Sequence, residues 1–313
     1  MSLLQRGIPT IRSYAERPAH PARLQGGYRL RDGGPAALGV ETQRITIITV
    51  TLNAAADLET TLASVAEQRC PDFEHIVIDG GSRDNTVEVL RRHDNDIALW
   101  ISEPDGGIYD AMNKGIAAAR GAWIGMLNAG TVFHAPDVLA AVQRAGSSGA
   151  PDVVYGDMIY IQGDVNEPVY ARSGLELLRE MRLCHEATFV SRAAYDRYGL
   201  YDASYRIAAD YELCLRLLMR GASFVSLGRP CVTVWSGGVS DTRLLETSAE
   251  SVRLLLHHGG VRPALAFAAI QGRRACVRAA FWLLQRTAGK AAHDRLRRRY
   301  VATKQLLARY RPR

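Results

Sequence analysis

From Arg44 onward the chain alternates between two hydrophobic periods. "RITIITVTL" (Arg44 to Leu52) is a β-branched run ended by Asn53, the pattern of a buried strand. "DLETTLASVAEQ" then places Leu58, Leu62, Val65 and Ala66 on one helical face. "FEHIVIDGGS" predicts a second strand entering a Gly-rich turn, and "DNTVEVLRRH" a second helix with Asp84 as its N-cap. The alternation continues through the strand "IALWIS", the helix "GIYDAMNKGIAAA", the strand "AWIGMLN", the helix "PDVLAAVQRA" and the strand "DVVYGDMIYI". Repeated β-α units of this kind predict an α/β fold with a doubly wound, mainly parallel sheet. Such sheets bind ligands beyond the carboxyl ends of their strands. The polar clusters fall there: Asn53, Asp79 to Asp84, Glu103 to Asp105, and Asn128 to Thr131.

Outside this stretch the pattern changes. Residues 1 to 43 hold many prolines and glycines without a sustained period, and are expected to form a loose arm. After residue 151 the pattern mixes. "ATFVS", "ASFVSLG" and "CVTVW" predict three short strands, and "DYELCLRLLMR" a helix with Leu213, Cys214, Leu217 and Leu218 on one face. From Asp241 the pattern is helical to the end. Three regions follow: an arm over 1–43, a globular unit over 44–240, and a helical extension over 241–313.

Composition narrows the class. With 47% hydrophobic and 23% charged residues, the 313-residue chain can bury a full core. The five cysteines are scattered and none is in CxxC spacing, so neither a zinc site nor a disulfide framework is indicated, and a reducing cytoplasm is the expected setting. No signal-peptide pattern is visible, and no apolar run reaches the roughly 20 residues of a spanning helix. Charge is unevenly placed. Residues 261–313 carry 14 lysines and arginines against one acid, Asp294, within a net charge of +7, so the remainder is mildly acidic. A basic tail on an acidic body points to an anionic partner surface.

The chemistry-bearing motifs are loop motifs. Neither a GxGxxG after the first strand nor a GxxxxGK[ST] is present. In "VIDGGSRDNT", Asp79 at a strand end can accept from a nucleobase N–H, and the glycine pair admits a ligand close to the backbone. Asp84 reads better as a helix cap. "SEPDGGIYDAMNKGI" is Gly-rich and polar; Asp105-Gly106-Gly107 alone is a turn before a helix, and Asn113 and Lys114 alone could be solvated surface. Asp210 stands at the start of a predicted helix, one turn before Leu213 and Cys214. A carboxylate there is either a simple cap or a group held at the pocket end of a packed element, kept ionised by the helix dipole.

Taken in order, "TVTLNAAADLETTLASVAEQ", "HIVIDGGSRDNT", "WISEPDGGIYDAMNKGI", "WIGMLNAG", "DVVYGDM", "HEATFVSR" and "YDASYRIAADYELCLRL" resemble the family 2 inverting nucleotide-sugar glycosyltransferases of GT-A fold. The "SEPDGGIYDAMNKGI" block is most similar to the branch that builds bacterial exopolysaccharide, capsule or O-antigen. The resemblance spans residues 44–240. It implies that Asn53 and Asp79 contact nucleobase and ribose, that Asp105 lies beside the nucleotide and Lys114 near the diphosphate, and that Asp210 is the general base. Inverting transfer needs such a carboxylate to take the acceptor's proton, and positive charge or dipoles to meet the departing diphosphate.

One stretch departs from the family. After the strand "WIGMLN" relatives carry a metal-binding Asp where this chain has Thr131. Mg²⁺ or Mn²⁺ is the cofactor the resemblance implies, yet hard cations prefer carboxylates, and Asn128 and the Thr131 hydroxyl are neutral ligands. Three explanations stand: an ion held mostly by the donor's phosphates, a cation such as Lys114 or Arg206 in its place, or a chain that binds donor and turns it over poorly. His185 and Glu186 precede a strand and could line the acceptor side. "WSGGVSD" (Trp235 to Asp241) could close over the diphosphate through its backbone N–H groups, or be a plain connector. The tail interleaves arginines with Phe281, Trp282, Leu283 and Leu284, which suits an amphipathic helix on an anionic bilayer. A helical hairpin pairing two copies of the chain is the alternative, and no nucleic-acid-binding motif is present. The expectation is a transferase at the inner face of a bacterial membrane, moving sugar to a lipid-linked glycan. The rival is a non-catalytic nucleotide-sugar-binding partner in an assembly complex.

Overall fold

The computed structural model describes residues 7–31, 41–163, 165–181, 183–238 and 242–288. A sheet of ten strands runs through it. In chain order they are β1 (Leu24–Gly26), β2 (Glu41–Thr51), β3 (Phe73–Asp79), β4 (Leu99–Ser102), β5 (Gly121–Met126), β6 (Val132–Phe133), β7 (Val153–Gln162), β8 (Val165–Val169), β9 (Thr188–Ser191) and β10 (Phe224–Trp235). Their spatial order is β1-β4-β3-β2-β5-β9-β7-β10-β6, with β8 against β7. β4, β3, β2 and β5 form a parallel block, and β10 is parallel to β7. β9 runs antiparallel between β5 and β7. From β2 the chain proceeds outward through β3 and β4, then returns to β5 on β2's other side. That reversal opens a crevice beyond the carboxyl ends of β2 and β5.

The helices are α1 (Ile11–Ala15), α2 (Tyr28–Arg31), α3 (Ala55–Ala66), α4 (Thr86–Arg92), α5 (Ile108–Ala118), α6 (Val138–Ser147), α7 (Arg192–Tyr198), α8 (Ala209–Met219), α9 (Leu244–His258) and α10 (Val261–Ala288). The period of two seen in "RITIITV" explains how they distribute. Ile48 and Val50 join one core with Tyr109, Met112 and Ile116 of α5 and Leu213 and Leu217 of α8. Ile45 and Ile47 face the opposite core, with Val65 of α3 and Val138 and Val142 of α6. Ile45, Ile48, Leu58, Met112 and Val142 are fully enclosed. Each such side chain contributes about 1.5–3 kcal/mol of burial.

The structure corrects the sequence expectations at three places. Residues 7–31 are not a loose arm. Ile11 and Tyr14 enter the α5–α8 core, and β1 pairs antiparallel with β4, Gln25 opposite Ile101. Apolar Ile8, Ile11 and Tyr14 are spaced at a helical interval over only seven residues, too short a run to stand out among the prolines. "ASFVSLG" and "CVTVW" are one strand, β10, bent by register shifts between Ser226 and Val232 around Pro230. The C-terminal helices do not begin a separate body: Leu254 and Leu255 of α9, and Ala264 and Phe267 of α10, are buried in the same core as α8.

Candidate active site

The crevice is lined by loops that bond to one another. Asn53 follows β2 in the left-handed region, at φ 50°, a conformation asparagine tolerates. Its amide oxygen accepts from the backbone of Arg83 at 2.8 Å, and its own N–H donates to Ser82 Oγ at 2.7 Å. Asp79, at the end of β3, is fully buried. It accepts from the N–H of Ser82 at 3.0 Å, from the Ser82 hydroxyl, and from Ser102 Oγ at 2.6 Å. Both oxygens therefore serve the loop, so Asp79 underlies the turn rather than facing the crevice as expected. Asp84 links two helix starts: it accepts from Thr86 N and Oγ1 at 3.1 and 2.6 Å and from Ala55 N at 3.3 Å.

Asp105 comes over this turn from the neighbouring loop. A Cβ at Gly80 would lie 2.7 Å from Asp105 Oδ2, so any other residue there would displace the Asp105 carboxylate. Gly107 N donates to Asp105 Oδ1 at 2.8 Å. Burial raises the Asp105 carboxyl above the usual aspartate value, and Lys114 and the Gly107 N–H only partly oppose it. Lys114 itself does not stand as a free cation for a diphosphate. Its ammonium lies 2.9 Å from Glu103 and 3.5 Å from Asp110 and donates to Pro104 O, stapling α5 to the loop before it. Tyr14 Oη and Arg17 reach the same Asp110 at 2.9 Å. Arg23 grips Glu103 through Nε and Nη2 at 2.6 and 3.0 Å. These N-terminal partners were invisible in the sequence because they lie 80 to 96 positions from their carboxylates.

A second cluster faces the β5 side. Asp210 is the second residue of α8, its side chain 20% exposed. Its Oδ1 accepts from Tyr211 N at 2.8 Å and lies 3.3 Å from Tyr109 Oη, and its Oδ2 lies 3.4 Å from His185 Nδ1. Across the ring, His185 Nε2 lies 3.0 Å from Asn128 Nδ2. Burial alone would lower the His185 pKa, but the bond to Asp210 and the charges of Glu186 and Asp210 outweigh it and the pKa is raised. His185 thus belongs beside Asp210. Glu186 does not line the acceptor side: it is buried, accepting from Thr131 Oγ1 at 2.6 Å and Asn128 N at 3.2 Å. It holds the "LNAGT" loop from beneath. Glu212 points away from Asp210, into a buried pair with Arg216 at 2.9 Å.

Tyr109, which sequence reasoning passed over, joins the two clusters. Its hydroxyl donates to Ile207 O at 2.5 Å, and burial puts its pKa well above the usual tyrosine value. One turn along α5, Asn113 exchanges two hydrogen bonds with the backbone of Tyr201, at 2.9 and 3.0 Å. Polar residues at i and i+4 on a face of otherwise apolar helix were the available signal.

A resident divalent ion needs several hard oxygens facing one space. Here the Thr131 hydroxyl is committed to Glu186, and Asn128 Oδ1 is enclosed without a hydrogen-bond partner. Among the described residues no group of three or more His, Cys, Asp or Glu side chains is arranged to hold a metal. The donor set does not fit the ion that the resemblance implies. Of "WSGGVSD", residues 239–241 lie outside the described residues; Trp235 is exposed and Gly237 has φ 113°.

Comparison with known proteins gives consistent matches. The profile described as "Glycosyl transferase family 2" matches residues 46–204. A "PGL/p-HBAD biosynthesis glycosyltransferase" of Mycobacterium bovis is 34% identical over 203 residues, covering 63% of this chain and 78% of the relative. Among solved structures, Staphylococcus aureus TarS residues 1–349 in complex with UDP-GlcNAc superposes with TM-score 0.56 at 16% identity, covering 71% of this chain and 69% of that one. The chain spans 41% of a longer TarS chain. The mannosyltransferase PcManGT of Pyrobaculum calidifontis, in complex with GDP-Man and Mn²⁺, superposes with TM-score 0.53 at 19% identity, covering 96% and 87%. These likenesses establish the GT-A fold.

Proposed function

Because this chain belongs to glycosyl transferase family 2 and is a nucleotide-sugar glycosyltransferase, we propose that it transfers one sugar, with inversion, to a lipid-linked bacterial glycan, using Asp210 as the base. The observation that carries this reading is the setting of Asp210: a partly open carboxylate at the crevice, held by the Tyr211 N–H beside Tyr109 on one oxygen and facing His185 on the other. The donor's nucleoside lies over Asn53, Gly80, Gly81 and Asp105, with Asp79 shaping the turn beneath. The acceptor oxygen bonds to the anomeric carbon as the bond to the diphosphate breaks on the opposite face. The nucleoside diphosphate leaves with that electron pair, and the hydroxyl proton passes to Asp210. His185, carrying its Nδ1 proton toward Asp210, fixes the carboxylate's orientation. Lys114 being engaged elsewhere, exposed Arg206 is the cation we assign to the leaving diphosphate. Any Mg²⁺ or Mn²⁺ would be held chiefly by the donor's own phosphates, so activity should depend on metal less steeply than in carboxylate-bearing relatives.

A lipid-linked acceptor is supported by two facts. The relative at 34% identity is named for PGL/p-HBAD biosynthesis. Residues 261–313 are strongly basic, while among the described residues no helix is long and apolar enough to cross a membrane. That basic stretch supports peripheral attachment at the anionic inner face of a membrane. The test is Asp210→Asn. It should leave nucleotide-sugar affinity by calorimetry unchanged and lower transfer to a small residual rate. Near wild-type transfer by that variant would remove Asp210 from the role.

A further inference from the structure

Within its own first turn, the helix that carries Asp210 is capped at the Tyr211 N–H, which donates to Asp210 Oδ1 at 2.8 Å. Its N-cap position is Ala208, which has no side-chain acceptor, yet the first-turn N–H groups of a helix require partners. The N–H groups just ahead of the helix are held from 42 to 44 residues downstream, on α9. Glu250 Oε1 accepts from Arg206 N at 2.9 Å, and Oε2 accepts from Ile207 N at 2.9 Å and Ala208 N at 3.0 Å. One carboxylate thus holds three successive peptides immediately before Asp210.

The same peptides are gripped from the other side. Ile207 O accepts from Tyr109 Oη, the hydroxyl that also reaches Asp210 Oδ1. The Ile207 residue is therefore pinned at its N–H by α9 and at its carbonyl by α5. α9 holds α8 at two further points: Arg253 stacks over the ring of Tyr205 at 5.8 Å, and His258 lies 3.2 Å from Glu212. Leu254 and Leu255, fully buried, set the rotation of α9 that aims Glu250 at these amides.

We propose that Glu250 is a positioning residue for glycosyl transfer, holding Arg206–Ala208 so that Tyr109 and Asp210 stay aligned on the incoming hydroxyl. α9 is then part of the catalytic unit, and the segment that bears Arg206 is fixed by the same carboxylate. This inference rests on Asp210 as the base. A small misplacement of a catalytic group costs up to about 100-fold in rate.

The test compares Glu250→Gln and Glu250→Ala with Asp210→Asn in the full-length protein, each checked for folding by near-UV circular dichroism and thermal melting. Glu250→Gln keeps shape and one acceptor oxygen, so it guards against an Ala variant that does not fold. The expected result is a kcat lowered about 10- to 100-fold in a folded Glu250 variant, with donor KM and calorimetric donor affinity unchanged. In an Asp210→Asn background the Glu250 substitution should lower residual transfer little further, because both act through one group. Wild-type kcat in folded Glu250→Ala overturns the proposal, as does a loss confined to donor affinity, or a full additional loss in the Asp210→Asn background. Should Asp210→Asn itself transfer normally, the base assignment fails instead, and the two failures are told apart.

Discussion

Thr131 and Glu186 stand 2.6 Å apart in a buried site, and that distance changes what a metal-restoring mutation can do. Glu186 lies under the loop where relatives place an aspartate. An aspartate at Thr131 would face it directly, and two carboxylates within hydrogen-bond reach cannot both ionise without cost. Thr131→Asp alone is expected to destabilise the fold by about 3 kcal/mol, the scale of an uncompensated buried charge, without improving Mn²⁺ binding. Thr131→Asp with Glu186→Gln should recover most of that stability and bind Mn²⁺ more tightly in the donor complex. Denaturant unfolding and calorimetry read both; a stable single variant with tight metal binding would show that Glu186 exerts no such opposition. At this scale the sequence identified Thr131 as the anomaly, but not the residue it answers to, because Glu186 is 55 positions away.

Among the elements, α5 is the connector. Its N-terminal end meets the Asp105 loop, Tyr109 meets Asp210, and Asn113 clamps the Tyr201 backbone. Asn113→Ala leaves a buried N–H and C=O of Tyr201 without partners, at about 2–4 kcal/mol, readable as a lowered denaturant midpoint. A shift under about 1 kcal/mol would mean that water or a backbone movement replaces both bonds. The segment β1 is tied to the loop after β4 through Glu103, whose pKa is about 2. Burial would raise that value, but Arg23 and Lys114 outweigh it and hold the carboxylate charged. The folded pKa is depressed, so the stabilisation is full above the ordinary value of 4.5 and is lost as pH falls toward about 2. Protease sensitivity of residues 7–31 should therefore rise across that window. Glu103→Gln should raise it already at neutral pH, and protection unchanged in that variant would assign the anchoring to Ile11 and Tyr14 alone.

For the whole molecule the question is where the catalytic unit stops. Glu250 and the buried Leu254 and Leu255 put α9 with the body, whereas the basic residues concentrate beyond Gly260. Truncation after Gln271, which leaves Ala264 and Phe267 in the core, should keep transfer to a water-soluble acceptor analogue. It should also abolish flotation with anionic vesicles, a binding that high salt weakens in the full chain. Equal flotation with and without residues 272–313 would give that region another purpose. Truncation after Ser240 should instead lose transfer, since it removes the Glu250 carboxylate.

The sequence by itself determined the alternation of β-branched strands and amphipathic helices, the loop positions of the polar clusters, and the family. These are local or ordered along the chain, and hydrophobic period and motif order carry them directly. It also singled out Asp210 and Asp105, which the structure brings to the crevice. Tertiary structure decided which charged side chains face that crevice and which are consumed beneath it: Asp79 by Ser82 and Ser102, Lys114 by Glu103 and Asp110, Glu186 by Thr131. It also decided that the N-terminal segment packs and that α9 holds the segment leading into α8. The physical reason is the same in each case. A charged or polar side chain is read from sequence only by type, whereas its role depends on which partner satisfies it, and those partners lie across the sheet or tens of residues away.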